Sequence, residues 1–300
     1  MVDFGVQVTP TPDLALHREV VAAAEEGGLT YVGVQDHPYA ATQVDAMALI
    51  GDLMSRTERL RFFPDVAPLP LRPPATLANL SATLDQLSGG RFELGLGAGG
   101  YPRAITGFGG AQRTPGESLE ALEEGIGLLR ALWTGGADRV VADGKYYSLN
   151  TRPGPPPAHD IGIWVGSVGP RSLRLTGRLA DGWAAPIPAY LPYQDLAPAN
   201  AIIDEAAKAA GRDPADVLRI AQIVGTVTDR PGDSDTTHGD APLRGTPGQW
   251  AEFIAKLVTE QPFRAFVFWP ESDTLEQTIR FARDVVPEVE TRLNRGPTRR

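Results

Sequence analysis

Residues 84–100 read LDQLSGGRFELGLGAGG, and the reading of this run decides the fold. It joins the end of a helical pattern, a Gly89–Gly90 turn, a short strand pattern and a glycine-rich exit. It also contains a literal GxGxxG at Gly95, Gly97 and Gly100. A dinucleotide fingerprint needs such glycines to open a helix directly after the strand, so that the helix N-terminus meets the pyrophosphate. Here they run into YPRAITGFGGAQRTPGE, and the next helix expected from the sequence starts only near Pro115. The context favours a strand that ends in a loop.

Outward from this run, strand-like and helix-like segments alternate. Strands are expected at 3–9, 31–35, 60–66, 91–97, 161–166, 182–186, 218–228 and 265–269, each followed by a helix. The helix at 73–88 carries Leu77, Leu80, Leu84 and Leu87 as an expected apolar stripe. Pro73 and Pro74 suit its first turn, and Gly89 and Gly90 supply the left-handed conformation that ends helices. Further helices are expected at 115–134 and 272–293. Eight strand–helix units in 300 residues point to an α/β fold, a (β/α)8 TIM barrel, in a single domain over 1–300. An open doubly wound sheet is the alternative. Two segments fall outside the rhythm: 135–160, with a hairpin expected around Lys145–Leu149, and 229–245, a polar, breaker-rich stretch expected to be a mobile loop.

Composition bounds the function. A hydrophobic fraction of 42% and a charged fraction of 22% are those of a soluble globular protein. No apolar run approaches the ~18 residues of a membrane span, and no secretory leader is visible. Cysteine is absent, which excludes disulfides, thiolate catalysis and cysteine-based zinc sites. A net charge of −9 argues against nucleic acid or an anionic membrane as partner. A cytoplasmic protein acting on small molecules is expected. No HExxH motif or carboxylate cluster suggests a metal, and no GxSxG elbow appears.

In a barrel, the chemistry sits at the C-terminal ends of the strands. The GSVGPR exit at 166–171 places small residues before a helix that starts at Pro170, with Arg171 beside it. Such a helix N-terminus can hold a phosphate, and it can equally be an ordinary turn that needs glycine. Along 91–97, Glu93, Gly95 and Gly97 are expected to face the barrel axis. The two glycines leave room for a flat ring or for tight packing against a bulky neighbour, and Glu93 reads as a structural ion-pair partner. His37, held extended by Pro38 at a strand tip, is a candidate acid–base group or a loop histidine bonded to Asp36. His17, His159 and His238 are expected to be solvated.

The segments VGVQDHP (32–38), PLPLRPPATLANLSATLDQLSGGRFELGLGAGG (68–100), IGIWVGSVGPRSLRLTGRLADGW (161–183) and GTPGQWAEFIAKL (245–257) resemble the bacterial-luciferase-like superfamily of flavin- and deazaflavin-dependent oxidoreductases. The resemblance implies the (β/α)8 barrel and either coenzyme F420 or FMN as cofactor, with hydride transfer or monooxygenation of a small organic substrate. It implies that the backbone at Gly166, Ser167, Val168, Gly169 and Pro170 holds the cofactor phosphate, beside the charge that Arg171 adds by its own place in the sequence. Val66 and Ala67 would back the ring, often through a bulge with a non-proline cis peptide, and Gly97, Ala98 and Gly99 would flank it. His37 matches a histidine over the reactive face, while Tyr101 and Trp269 are expected to line the substrate pocket. Some deazaflavin-dependent members place a glutamate soon after the glycines of the fourth strand. Here Gly100, Tyr101 and Arg103 fill that loop and the next carboxylate is Glu117, so a glutamate-assisted mechanism is not implied. Relatives are commonly dimers, so a homodimer is an expectation. A non-catalytic flavin-binding barrel and an unrelated barrel lyase or hydrolase without cofactor are the competing readings.

Overall fold

Strand β1 (Asp3–Val8) shows how alternation builds the core: Phe4, Val6 and Val8 pack outward against helices, while Gly5 and Gln7 point to the barrel axis. The computed structural model describes residues 2–136, 138–231 and 243–295. After β1 come α1 (Leu14–Glu26), β2 (Tyr31–Val34), α2 (Ala46–Met54), β3 (Arg61–Pro64), β4 (Ala67–Pro68), α3 (Pro74–Ser88), β5 (Leu94–Gly97), α4 (Pro102–Gly107) and α5 (Pro115–Trp133). The hairpin β6 (Val140–Asp143) and β7 (Ser148–Thr151) follows, then β8 (Ile163–Val165), α6 (Pro170–Leu179), β9 (Gly182–Ala185), α7 (Leu196–Ala209) and β10 (Leu218–Val227). The chain continues with β11 (Leu243–Gly245), α8 (Pro247–Glu260), β12 (Phe263–Pro270), α9 (Thr274–Arg280) and α10 (Val286–Arg295).

The main sheet runs β3-β2-β1-β12-β10-β9-β8-β5-β4, all pairs parallel, with β11 beside β10. A bridge between Phe62 and Phe92 joins β3 to the residues just before β5 and closes the ring. The TIM barrel expected from the sequence is therefore the observed architecture. Its lumen is filled by Tyr31, Phe63, Trp164, Ile220, Ala265 and Val267. Below them Glu93 pairs with Arg61, accepts from the Gly162 N–H at 2.7 Å and closes the floor. Glu93 is thus an ion-pair partner, as its low inward position implied.

Several expectations are corrected. The run 60–66 is not one strand: β3 ends at Pro64, the Asp65–Val66 peptide is cis, and pairing resumes as β4. A helix, α4, begins at Pro102, well before Pro115; it is short, and Tyr101 gives it no side-chain cap. Leu87 is 80% exposed, whereas α3 buries Leu77, Ala78, Ser81, Ala82, Leu84 and Asp85. Ten residues at about 100° each carry Leu87 to the side of Leu77 opposite Ala78, Ser81 and Ala82. His17 is buried, with Nε2 2.9 Å from the Thr11 carbonyl oxygen. His159 is half-buried against Asp85 and Arg61. The helix over 272–293 contains a π-type turn at Phe281–Val285. The hairpin expected near 145–149 is present as β6–β7. Of the loop expected at 229–245, residues 232–242, with His238, lie outside the described residues, and Leu243–Gly245 is strand β11.

Candidate active site

The centre of the barrel mouth is the kink between β3 and β4. At this kink the Val66 side chain faces three glycines on neighbouring strands. A Cβ on Gly97 would lie 2.9 Å from Val66 Cγ2, and one on Gly166 would lie 3.0 Å from the same atom. A Cβ on Gly95 would stand 2.0 Å from the Pro64 carbonyl oxygen. Gly95 and Gly97 therefore make room for the protein's own kink, the tight-packing reading, rather than for a ring directly. Gly99, at φ +94°, packs against Ile105 and Pro70. Ala67 is fully buried in β4, paired with Leu96, and Ala98 packs against the core.

Asp65 is buried with its kink. Its Oδ1 accepts from Gln222 Nε2 at 2.9 Å, and Oδ2 has no protein partner among the described residues. Burial pushes its carboxyl up to about 7, opposed by the Gln222 hydrogen bond. Gln7, 2% exposed, also carries amide atoms without partners there. A polar layer thus lies above the aromatic lumen.

The exit from β8 is an open helix N-terminus. Gly166 N–H is used by the Leu96 carbonyl at 3.0 Å, the Ser167 hydroxyl lies 2.9 Å from Thr176 Oγ1, and Trp183 Nε1 donates to the Ser167 carbonyl at 3.0 Å. Ser167 is therefore held by its own structure. Beyond it Val168, Gly169, Pro170 and Arg171 are exposed, and Gly169 caps α6 without a side chain. The first backbone bond of α6 is Leu173 to Gly169, which leaves the Arg171 and Ser172 N–H groups outside the helix's own ladder. A Cβ on Gly169 would meet nothing within 4 Å, so the cradle is open above. An anion with several oxygens fits these groups.

His37 stands past the tip of β2. The adjacent Asp36 does not hold it: both Asp36 oxygens take Arg72, at 2.5 and 2.8 Å, and Arg72 also reaches Asp45 at 2.8 Å. His37 Nδ1 instead lies 2.9 Å from the Tyr39 hydroxyl, so the Asp36-bonded reading is corrected. Burial holds the imidazole below its ordinary pKa, with Asp36 pulling the other way, so the ring is neutral near pH 7. Tyr101 meets the His37 ring edge-to-face at 5.7 Å and the Tyr39 ring at 6.0 Å, and its hydroxyl bonds that of Tyr190. Tyr101 and Tyr190 are 43% and 55% exposed, so this aromatic group opens to solvent. Trp269, half-buried near the end of β12, pairs with Val224 in register and shares no described contact with His37 or Tyr101.

The structure thus joins His37 with Tyr101, and Val66 with Gly97 and Gly166. Tyr39, Tyr190 and Gln222 were not singled out from sequence. Only Tyr39 gave a signal, its place two residues after His37. A recess of about 440 Å3 lies elsewhere, on the outer face between Asp229, Ile279, Arg280 and Asp284. None of the site residues expected from the sequence lines it, and its Arg280 and Asp229 are paired at 2.5 Å.

The sequence profile of luciferase-like monooxygenases matches residues 2–268. The chain belongs to that family. It is 34% identical over 225 residues to an F420-dependent hydroxymycolic acid dehydrogenase of Mycobacterium tuberculosis, covering 69% of this chain and 58% of that protein. It is 32% identical over 245 residues to an F420-dependent glucose-6-phosphate dehydrogenase of Rhodococcus hoagii, covering 77% and 70%. Across the first four curated relatives the match spans between 50% and 62% of their length. The fold matches the coenzyme F420-dependent tetrahydromethanopterin reductase of Methanopyrus kandleri, at TM-score 0.78 and 19% identity over 96% of this chain and 99% of that one. Among the described residues, no helix of this luciferase-like barrel is long and apolar enough to cross a membrane.

Proposed function

We propose that the chain is a coenzyme F420-dependent oxidoreductase acting on a small organic substrate at the barrel mouth. One observation carries this reading: an open helix N-terminus and the Val66 kink meet at Gly166, and the kink in turn joins the end of β2, whose exit carries His37. The Asp65 N–H donates to the Val34 carbonyl at 2.7 Å, three residues before His37. That spacing suits a cofactor with a phosphate at one end and a flat ring at the other. The relatives at 32–34% identity, both named F420-dependent, favour the deazaflavin over FMN. Their names as dehydrogenases offer no support to a storage protein.

When bound, the deazaflavin supplies hydride chemistry at its ring. The protein's part is to bind, orient and exclude water. The Arg171 and Ser172 N–H groups would take the phosphate, with the Arg171 guanidinium nearby and the Val168 and Gly169 backbone shaping the turn. Val66 would back the ring, with the Gly97–Gly99 backbone along its edge. His37 would meet the substrate at the reacting face, and Tyr101, with Tyr190 and Trp269, would line the substrate side. Titration of the purified protein with F420 and with FMN, separately, tests the reading. Tighter binding of F420 by tenfold or more is expected; preference for FMN would overturn the cofactor assignment, and binding of neither would overturn the whole.

A further inference from the structure

His37 has two ring nitrogens, and which of them carries the proton decides what the residue can do. A bare nitrogen facing the substrate accepts a proton, whereas an N–H stabilises an oxygen that is gaining charge. The partner of the other nitrogen sets the choice. Here Nδ1 lies 2.9 Å from the Tyr39 hydroxyl, whose only described hydrogen bond this is. Two arrangements satisfy the distance. A phenol is a good donor and a poor acceptor, because its oxygen lone pair is shared with the ring, whereas a neutral imidazole nitrogen is a strong acceptor. The favoured bond therefore runs from Tyr39 O–H to Nδ1. Burial favours the same arrangement. It keeps the imidazole neutral, and together with Tyr101, Asp36 and Tyr190 it pushes Tyr39 up to about 12, so the phenol keeps its proton. The Asp36 carboxylate, which would otherwise accept from Nδ1–H, is held by Arg72.

We propose that Tyr39 is a positioning residue: its hydroxyl fixes His37 as the Nε2–H tautomer, so that the pocket presents a hydrogen-bond donor to a substrate oxygen that becomes negative. This rests on the proposed function and deepens it. The substrate class that fits is a carbonyl compound receiving hydride from the reduced deazaflavin, whose oxygen gains charge in the transition state and then takes its proton from solvent. An alcohol giving up hydride must first shed its hydroxyl proton, which a bare nitrogen in the same place would accept. Tyr101 closes the other side of His37 with an aromatic edge rather than a second charge.

The Tyr39→Phe variant tests the proposal, since it removes the hydroxyl and keeps the aromatic packing. Long-range 1H–15N spectra of the cofactor-free protein at pH 8, assigned with His37→Gln, report the tautomer directly. Wild type is expected to show protonated Nε2 and bare Nδ1. Tyr39→Phe is expected to lose that preference, with the two 15N shifts moving toward each other and the melting temperature within about 2 °C of wild type. Protonated Nδ1 in wild type, an even mixture there, or unchanged shifts in Tyr39→Phe would each overturn it. Because no cofactor is present, these results stand apart from the F420 and FMN titrations.

Discussion

At Val66 a single isopropyl group fills the space left by glycines on two other strands. Its γ-carbons would be 2.9 Å from a Cβ on Gly97 and 3.0 Å from one on Gly166. Gly97→Val should therefore push Val66 off its seat, at a cost of about 1–3 kcal/mol from overpacking. It should also weaken cofactor binding several-fold. Val66→Ala in the same chain is expected to restore most of the stability but not the affinity, since the ring would still lose its wall. Denaturant melts and titrations of the two single variants and the double variant check both statements. The residue scale is also where the sequence was hardest to read. Gly95, Gly97 and Gly166 were visible as glycines at strand tips, but nothing in the run says that Val66 is what they accommodate. That contact depends on strands about 30 and 100 residues away.

At the scale of elements, the hairpin segment and the fourth barrel strand are tied through Asp85 on α3. This fully buried carboxylate accepts from the His159 backbone N–H at 2.9 Å and lies 2.7 Å from His159 Nδ1. It also accepts from the Phe92 N–H at 3.4 Å. Arg61 donates to His159 Nε2 at 3.1 Å, which assigns the ring proton to Nδ1 and the bond to Asp85. Asp85→Ala strands these donors and should destabilise by about 2–4 kcal/mol. Hydrogen exchange should rise first in 154–162, where the proline-rich stretch returns to β8; uniform change across the barrel would refute a local anchor. The elements themselves were largely legible. The alternation of 2.0 and 3.6 periods marks all eight barrel strands and the long helices, because both depend on local pattern. The misread elements have non-local causes. Leu87 looked like part of a stripe until the packing of α3 chose the face centred on Ser81. His159 looked like a loop residue because its partners, Asp85 and Arg61, lie 74 and 98 positions away.

For the whole molecule, Asp65 sets one part of the pH response. Its folded-state pKa, raised by burial to about 7, exceeds the unfolded value of 3.8. The folded protein therefore holds a proton that the unfolded chain has lost. The sign follows: this contribution is complete below about pH 4 and is lost as pH rises through about 7. Asp52 and Glu271, beside arginines and less deeply buried, act oppositely. Arg18 and Arg56 hold Asp52 down to about 2, and Arg244 holds Glu271 below its usual range. The informative quantity is the stability difference between wild type and Asp65→Asn from pH 4 to pH 9. Wild type should lose ground relative to the variant across that window, and a flat difference would show that Asp65 ionises as it does in water.

Gly166 has two duties: its Cα faces the Val66 side chain, and its carbonyl end opens the turn that leads to the α6 amides. The wall and the cradle are thus tied across neighbouring strands, through the close approach of Val66 to Gly166 and the Gly166 N–H bond to the Leu96 carbonyl, Leu96 itself pairing with Ala67. Under the proposed function the barrel mouth would therefore act as a gauge of length. A molecule whose flat part and anionic part are separated by the right number of bonds would engage both at once. One that is shorter or longer would forfeit one end, so span would screen out misfits and leave the choice between FMN and F420, which share the same linker, to the ring.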